Sequence, residues 1–400
     1  MNFLEKYIKG DKVIWLVVLL LAIFSLLAVY SSIVTLAYKY HGGDTFYYLF
    51  KHGLMLVIGL SFMLLVHRLN FKYYSRISQL ALYVSIPLLL LTLLTGANIN
   101  EASRWLVIPV INQTFQTSDL AKLALIIYLA RTLSRNQDKM NDLKTFVVQI
   151  LLPVLAVCGL ILPANFSTAA MVFTTSLIVM FIGRVSLKYI FSIVGAGIAG
   201  FVLLLLLSIT FPKLLPRAST WVVRIENFSG VCFTGHPDGY HEKNRASGNY
   251  QADQAKIAIA TAPIPFGKGP GGSTQRNFLP HPYSDFIYAI IIEEYGLIGG
   301  FTIIVLYLIL FFRGIRIAQK SDKTFGALLA IGLSFSLVFQ AMINMAVAVN
   351  LFPVTGQPLP LVSMGGTSIW FTCLAIGIIL SVSTETEKSK ANKSKPVVPS

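Results

Sequence analysis

Asp285 stands in the run His281-Pro282-Tyr283-Ser284-Asp285-Phe286, where a long polar segment enters an apolar stretch. Two readings of it are open. It is an acid favoured by the positive end of a helix, or a partly desolvated carboxylate able to act as general base or metal ligand. Glu293 and Glu294 follow deeper in the same stretch. On a helix they would lie about 80° and about 180° from Asp285, so at least one should pair with a basic group instead. A second cluster is Arg104-Trp105, then Phe115-Gln116-Thr117-Ser118-Asp119, then Lys122. Ser118 or Asp119 can cap a helix, and Asp119 and Lys122, three residues apart, share a helix face. The cluster reads as an interfacial anchor with a cap, or as a basic and aromatic site for a phosphate- or sugar-bearing headgroup. A third is Pro353-Val354-Thr355-Gly356-Gln357-Pro358-Leu359-Pro360, followed by Ser363-Met364-Gly365-Gly366-Thr367-Ser368. Its prolines and glycines break any helix. It is either a kinked hairpin or a set of backbone N–H groups and hydroxyls suited to an anion such as diphosphate.

Two further motifs are weaker. Gly267-Lys268-Gly269-Pro270-Gly271-Gly272-Ser273-Thr274 resembles a phosphate loop but lacks the Gly-Lys-Ser/Thr ending and a preceding strand. His236, Asp238 and His241 are too few and too loosely placed to argue for a metal.

The elements that position these groups lie in lipid. Of 400 residues, 55% are hydrophobic and only 12% charged, about half the charge of a soluble domain. That excludes a disordered chain, a disulfide scaffold and an ordinary cytosolic enzyme. Three cysteines, Cys158, Cys232 and Cys373, make no disulfide or metal framework. A net charge of +15 suggests nucleic acid until its placement is seen. The basic residues sit in short clusters between apolar runs, which is a membrane-topology pattern rather than a binding face.

Apolar runs long enough to span a bilayer fall at 13–34, 46–66, 77–95, 119–134, 144–162, 167–183, 188–211, 284–312, 325–349 and 364–383, which predicts ten transmembrane helices in an all-α polytopic protein. The run 119–134 is short and holds Lys122. Alternate connections carry the basic clusters: Lys6, Lys9 and Lys12; Arg68, Lys72 and Arg76; Arg131, Arg135, Lys139 and Lys144; Arg184 and Lys188; Arg313, Arg316, Lys320 and Lys323; and the lysines of the tail. The short connections opposite hold only Lys39 and Arg104. Both termini are therefore expected in the cytoplasm. Residues 213–283, between the seventh and eighth spans, form a large extracytoplasmic loop, and loops of this length are usually functional. Residues 1–383 read as one membrane domain and 384–400 as a disordered cytoplasmic tail.

Taken in order, these motifs resemble the SEDS family (shape, elongation, division and sporulation), which includes FtsW and RodA. The resemblance runs from the first helix to about Ser383. The family's Gly-Ala-x-Arg-Trp-Ile and Phe-Gln-Pro-Ser-Glu with its Lys read here Glu101 to Leu106, Phe115 to Asp119, and Lys122. Gly-Lys-Gly, Leu-Pro-Glu and Asp-Phe-Ile-Phe read Gly267-Lys268-Gly269, Leu279-Pro280-His281 and Asp285-Phe286-Ile287-Tyr288. Glu-Glu-Leu-Gly-Leu-Ile-Gly reads Glu293 to Gly299, and the family's last motif matches Pro353 to Ser368. There are two departures. Asn165 replaces the acid of the family's Pro-Asp-Leu-Gly-Thr, and Ala262-Pro263 stands near the place of a Gly-Gly.

The resemblance implies an inverting peptidoglycan glycosyltransferase that polymerises lipid II outside the cytoplasmic (inner) membrane and releases undecaprenyl diphosphate. It casts Asp285 as the base. Arg104, Lys122 or Lys268 would stabilise the diphosphate, alone or with a divalent cation (Mg2+ or Mn2+) that Asp285 could help to hold; no organic cofactor is expected. Trp105, Gln116, Ser118, Asp119, Ser363, Gly365, Gly366 and Ser368 would contact substrate, and Glu293 and Glu294 would be structural ionic residues. The outer segment Thr220 to Ile225 and the run Phe371 to Ala375 resemble the division type, FtsW, more than RodA. The implied partners are a class B penicillin-binding protein, which is a transpeptidase, and other septal proteins. A lipid II flippase and a non-catalytic scaffold are the competing readings.

Overall fold

The computed structural model describes residues 9–99, 102–108, 113–140, 142–210, 216–229 and 239–393. A helix stands at each of the ten predicted spans: α1 (Lys12–Ser32), α3 (Thr45–Val66), α4 (Lys72–Thr95), α5 (Thr117–Arg135), α6 (Leu143–Ile161), α7 (Phe166–Ile182), α8 (Leu187–Thr210), α11 (Ile287–Lys320), α12 (Thr324–Ala348) and α13 (Ser368–Lys393). The short α2 (Val34–His41) follows α1. Eight of the ten are long and apolar enough to cross a membrane; α7 is apolar but 17 residues long. The tenth, α5, carries Asp119, Lys122, Arg131 and Arg135, yet 12 of its 19 residues are buried. It runs through the interior of the bundle, where protein rather than lipid meets its polar groups.

Burial sorts the rest. α13 and α12 bury 78% and 67% of their apolar windows, and α8 only 11%. Lipid-facing side chains such as Leu19, Phe50, Leu80 and Phe191 are exposed. Small residues let the inner helices approach closely, as in other membrane bundles. A Cβ on Gly59 of α3 would stand 2.9 Å from Cys373 Sγ of α13, and one on Gly314 of α11 would stand 2.0 Å from Ser334 Oγ of α12. Asp11 caps α1 through Val13 N (3.0 Å) and also pairs with Arg313 of α11 at 2.5 Å. Asn165 caps α7 through Thr168 N at 3.3 Å.

The all-α polytopic fold stands, with three features that the apolar runs do not reveal. The chain is not wholly helical outside its loops: β1 (Ala97–Ile99), β2 (Ala102–Ile108) and β3 (Gln113–Gln116) form an antiparallel sheet in the order β1-β2-β3. The apolar run Trp105 to Ile108 pairs with β3, Trp105 opposite Gln116. Residues 213–283 are not simply a loop, because α9 (Pro216–Ser229) and α10 (Gly239–Ala260) lie within them; His236 and Asp238 fall outside the described residues. Nor does order end at 383. α13 continues to Lys393, with Thr384 and Thr386 buried and Ser389 donating to Asp322 at 2.6 Å. Residues 394–400 lie outside the described residues.

Candidate functional site

The segment from Pro353 to Thr367 has no helix and sits inside the bundle. Irregular backbone at such depth persists only if its polar groups are satisfied by protein, and side chains from several helices supply the partners. Arg224 of α9 donates to Val354 O at 3.0 Å. From α12, Asn344 donates to Gln357 O at 2.6 Å and Gln340 to Pro358 O at 3.0 Å. Tyr307 of α11 donates to Pro360 O, and Ser25 of α1 to Val362 O at 2.9 Å. The Gln357 amide donates in return to Thr168 of α7 at 2.7 Å.

Asp285 lies against this segment. It precedes α11 by one residue, Phe286, so it is not on the helix. Its carboxylate is half-buried and accepts from Ser284 Oγ at 2.8 Å. Its backbone carbonyl accepts from Asn344 Nδ2 at 2.8 Å. Ser363 is buried and ties the two strips of chain together, donating to Ser284 O (2.6 Å) and accepting from Leu359 N (2.8 Å). Met364 N donates to Tyr283 O at 2.9 Å.

The second cluster reaches the same helix face. Lys122 lies 3.6 Å from Asp119 and donates to Gln340 Oε1 at 2.7 Å. Gln340 and Asn344 are four residues apart, one turn of α12 or about 6 Å, so the Lys122 pair and the Asp285 connection approach α12 one turn from each other. Asp119, Lys122, Ser336, Ser368 and Thr372 line a cavity of about 20 Å³, room for one water. Asp119 Oδ2, buried and without a partner among the described residues, is a polar atom such a water would satisfy. Neither Ser118 nor Asp119 caps α5, whose N-cap position is Gln116. Ser118 accepts instead from Gln116 Nε2 at 3.1 Å. The sheet joins the segment through Thr367, which accepts from Gln116 N (3.3 Å) and donates to Thr114 O (3.1 Å). Trp105 is half-buried beside Gln116; Arg104 lies on β2, its side chain outside the described residues.

The expected anion cradle at the start of α13 is not free. The N–H groups of Ser368, Ile369 and Trp370 donate to Gly365, Gly366 and Thr367 carbonyls. Gly365 and Gly366 form the turn before the helix, with Gly366 at φ +54°.

Lys268 is also committed to other partners. All three ammonium donors are engaged, by Glu293 Oε1 (2.6 Å), Thr261 Oγ1 (3.1 Å) and Thr274 Oγ1 (3.0 Å). Fully buried Glu293 also accepts from Ser273 Oγ (2.5 Å), Thr274 N (3.0 Å) and Thr274 Oγ1 (2.9 Å). Glu294 accepts from Ser273 N (3.2 Å) and the Ser31 hydroxyl of α1. The phosphate-loop-like stretch is thus a strap over α11, closed by Lys268 N to Glu293 O and Gly269 N to Glu294 O, both 2.9 Å. It crosses where α11 breaks at Gly296 (φ 67°, ψ −166°), a conformation essentially reserved for glycine. A Cβ there would meet Pro265 O at 2.0 Å.

Gln340 and Asn344 were not among the sequence candidates. Two amides at i and i+4 in an otherwise apolar span were the available signal.

The sequence profile of the cell cycle protein family comprising FtsW, RodA and SpoVE matches residues 11–388. A protein of Nitrosococcus halophilus named probable peptidoglycan glycosyltransferase FtsW is 32% identical over 354 residues, 87% of this chain and 86% of its own length. A like-named protein of Trichlorobacter lovleyi is 30% identical, covering 93% of each. Among solved structures, a chain from a study of polymerisation and crosslinking by a peptidoglycan synthase complex superposes with a TM-score of 0.72 at 22% identity, covering 94% of this chain and 98% of that one. The rod shape determining protein RodA of Thermus thermophilus gives 0.63 at 21%, covering 95% and 98%. At these identities the structural likeness establishes the polytopic helical fold.

Proposed function

The chain belongs to the FtsW, RodA and SpoVE family of cell cycle proteins, and we propose that it is an FtsW-like peptidoglycan glycosyltransferase that polymerises lipid II at the outer face of the inner membrane. The curated relatives' names support the activity. The single observation that carries the mechanism is Asp285: a half-buried carboxylate whose backbone carbonyl is held by Asn344, which also bonds the irregular segment at Gln357 O.

In the proposed reaction the 4-hydroxyl of an acceptor GlcNAc gives its proton to Asp285. The freed oxygen attacks the anomeric carbon of a donor MurNAc from the face opposite the diphosphate. The bond from that carbon to the diphosphate oxygen breaks, undecaprenyl diphosphate leaves, and the α-linked donor becomes a β-1,4 product. Inversion needs one base and stabilisation of the departing charge. Lys122, with Arg104 on the neighbouring sheet, would supply that stabilisation. Lys268, saturated by Glu293 and two hydroxyls, serves the strap instead. Among the described residues no three His, Cys, Asp or Glu side chains gather to hold an ion. If a Mg2+ or Mn2+ takes part, Asp285 would be the residue to help hold it, and the ion would supply positive charge to stabilise the departing diphosphate.

The ten helices and the basic clusters support ten crossings with both termini in the cytoplasm, an arrangement that would leave Asp285 on the outer side. A class B penicillin-binding protein and other septal proteins would be its partners at the division site. The test is polymerisation of purified lipid II, with and without the transpeptidase. Glycan strands lost in a folded Asp285→Ala protein are expected. Strands that persist in that variant would discard Asp285 as base. No strands at all, with lipid II crossing vesicle bilayers, would replace the enzyme by a flippase.

A further inference from the structure

Asn344 is 1% exposed, and its amide orientation is dictated by its surroundings. Nδ2 faces two carbonyl oxygens, Asp285 O at 2.8 Å and Gln357 O at 2.6 Å. An oxygen there would confront two acceptors, so the donor must occupy this position. One side chain, rooted in a largely buried helix, therefore bonds both the connection that carries Asp285 and the Pro353–Thr367 segment. The Asp285 carboxylate has Ser284 Oγ as its hydrogen-bond partner among the described residues, a residue on the same stretch of chain. Its place relative to the bundle is thus set through the backbone, and Asn344 is the contact that joins that backbone to α12. Gln340, one turn earlier, joins Lys122 and Pro358 O in the same manner.

We propose that Asn344 is a positioning residue for the reaction: it holds the Asp285 carbonyl and the Gln357 carbonyl in one frame, and so fixes the Asp285 carboxylate relative to the groups on α5. This rests on Asp285 being the base. Nothing about Asn344 requires that it touch substrate.

The isosteric variant Asn344→Asp tests this. Ionised, its carboxylate repels both carbonyls; protonated, it regains one O–H donor. The charged groups around it are Asp285 itself, Arg224 of α9 at Val354 O, and, beyond Gln340, Lys122 and Asp119 of α5; Thr168 of α7 is neutral. A carboxylate beside Asp285 and two carbonyls should take up its proton as pH falls. In detergent-purified protein polymerising lipid II, Asn344→Asp should lower kcat by about 100-fold near neutral pH, the scale of a 1 Å misplacement. KM should stay close to wild type. The ratio of variant to wild-type kcat should climb as pH is lowered, because protonation of the introduced carboxylate restores one of the two donor bonds. Asn344→Ala, which removes both bonds without adding charge, should lose kcat with no such climb, and it serves if the aspartate variant does not fold. Wild-type kcat in a folded Asn344→Asp or Asn344→Ala protein overturns the proposal, as does an Asn344→Asp deficit that is the same at every pH. Asp285→Asn is run alongside. If it still polymerises, the base assignment fails and takes this proposal with it; if it is dead while Asn344→Asp is fully active, only the positioning role fails.

Discussion

Replacing Glu293 by Gln keeps the volume and removes the charge at the closure of the strap. The carboxylate accepts from Lys268, Ser273 and Thr274 and is fully buried. An amide offers one acceptor atom in place of two and presents its own donors to groups that are already donors. Removing one partner of a buried pair costs about 3–5 kcal/mol. The Lys268 side chain is 21% exposed and can recover some hydration, so the low end, about 3 kcal/mol, applies. At about 1.4 kcal/mol per tenfold, the open form of residues 262–276 should become about 10²-fold more populated. Limited trypsin digestion reads this directly, because cleavage of a transiently opened segment tracks its population when closing is fast. The strap contains Lys268 and Arg276 as sites, and cleavage after Arg276 remains measurable in Lys268→Met. That variant should open the strap less than Glu293→Gln, since the carboxylate keeps its hydroxyl and N–H donors. The double variant should be no worse than Glu293→Gln alone, within about 0.5 kcal/mol. Cleavage of Glu293→Gln at the wild-type rate, or strict additivity of the two changes, would refute the pairing argument.

Two further substitutions test the backbone. Gly296→Ala places a Cβ 2.0 Å from Pro265 O at a φ of +67°; conformational strain alone costs roughly 1–3 kcal/mol, and the strap must move as well. Arg276 cleavage should accelerate at least as much as in Glu293→Gln, with a lower melting temperature in detergent. Asn165→Ala should cost about 1 kcal/mol through loss of the α7 cap, while Asn165→Asp, an equally good cap, should be neutral; a thermal unfolding series separates the two.

Helix positions were legible because a bilayer demands long apolar runs, and all ten runs carry a helix. What was hidden follows from burial. α5 looks weak as a span because Asp119 and Lys122 interrupt it, and the structure shows why they are tolerated: Gln340, Ser336 and Ser368 surround them, not lipid. The sheet was missed because Trp105 to Ile108 is too short an apolar run to distinguish a strand from an interfacial stretch. α9 and α10 were missed because hydropathy says little about helices outside the bilayer. The partners of Lys268 were not legible from its motif. Its neighbours Thr261 and Thr274 and its partner Glu293, 25 residues on, meet it only after the strap folds over α11. Asn165 shows the converse. It departs from the family as an amide in place of an acid, yet its local work is capping Thr168 N, which either residue performs.

The Pro353–Thr367 segment explains why so many polar side chains are buried in an apolar bundle. Five of its carbonyls, at Val354, Gln357, Pro358, Pro360 and Val362, each take a side-chain donor from α9, α12, α11 or α1. Each bond contributes only about 1 kcal/mol net, but a buried carbonyl left without a donor costs about 1–3 kcal/mol. The segment is therefore held less by the strength of any one contact than by the cost of losing any. That arrangement has a consequence for catalysis. Asp285 and Lys122 are both bonded to the same face of α12, and α12 is bonded to the segment at the same two residues. A helix displacement that strips Gln340 or Asn344 of its carbonyl partner would disturb the proposed base and the Lys122 ammonium together. The site is built to be either assembled or not, with little room for an intermediate arrangement.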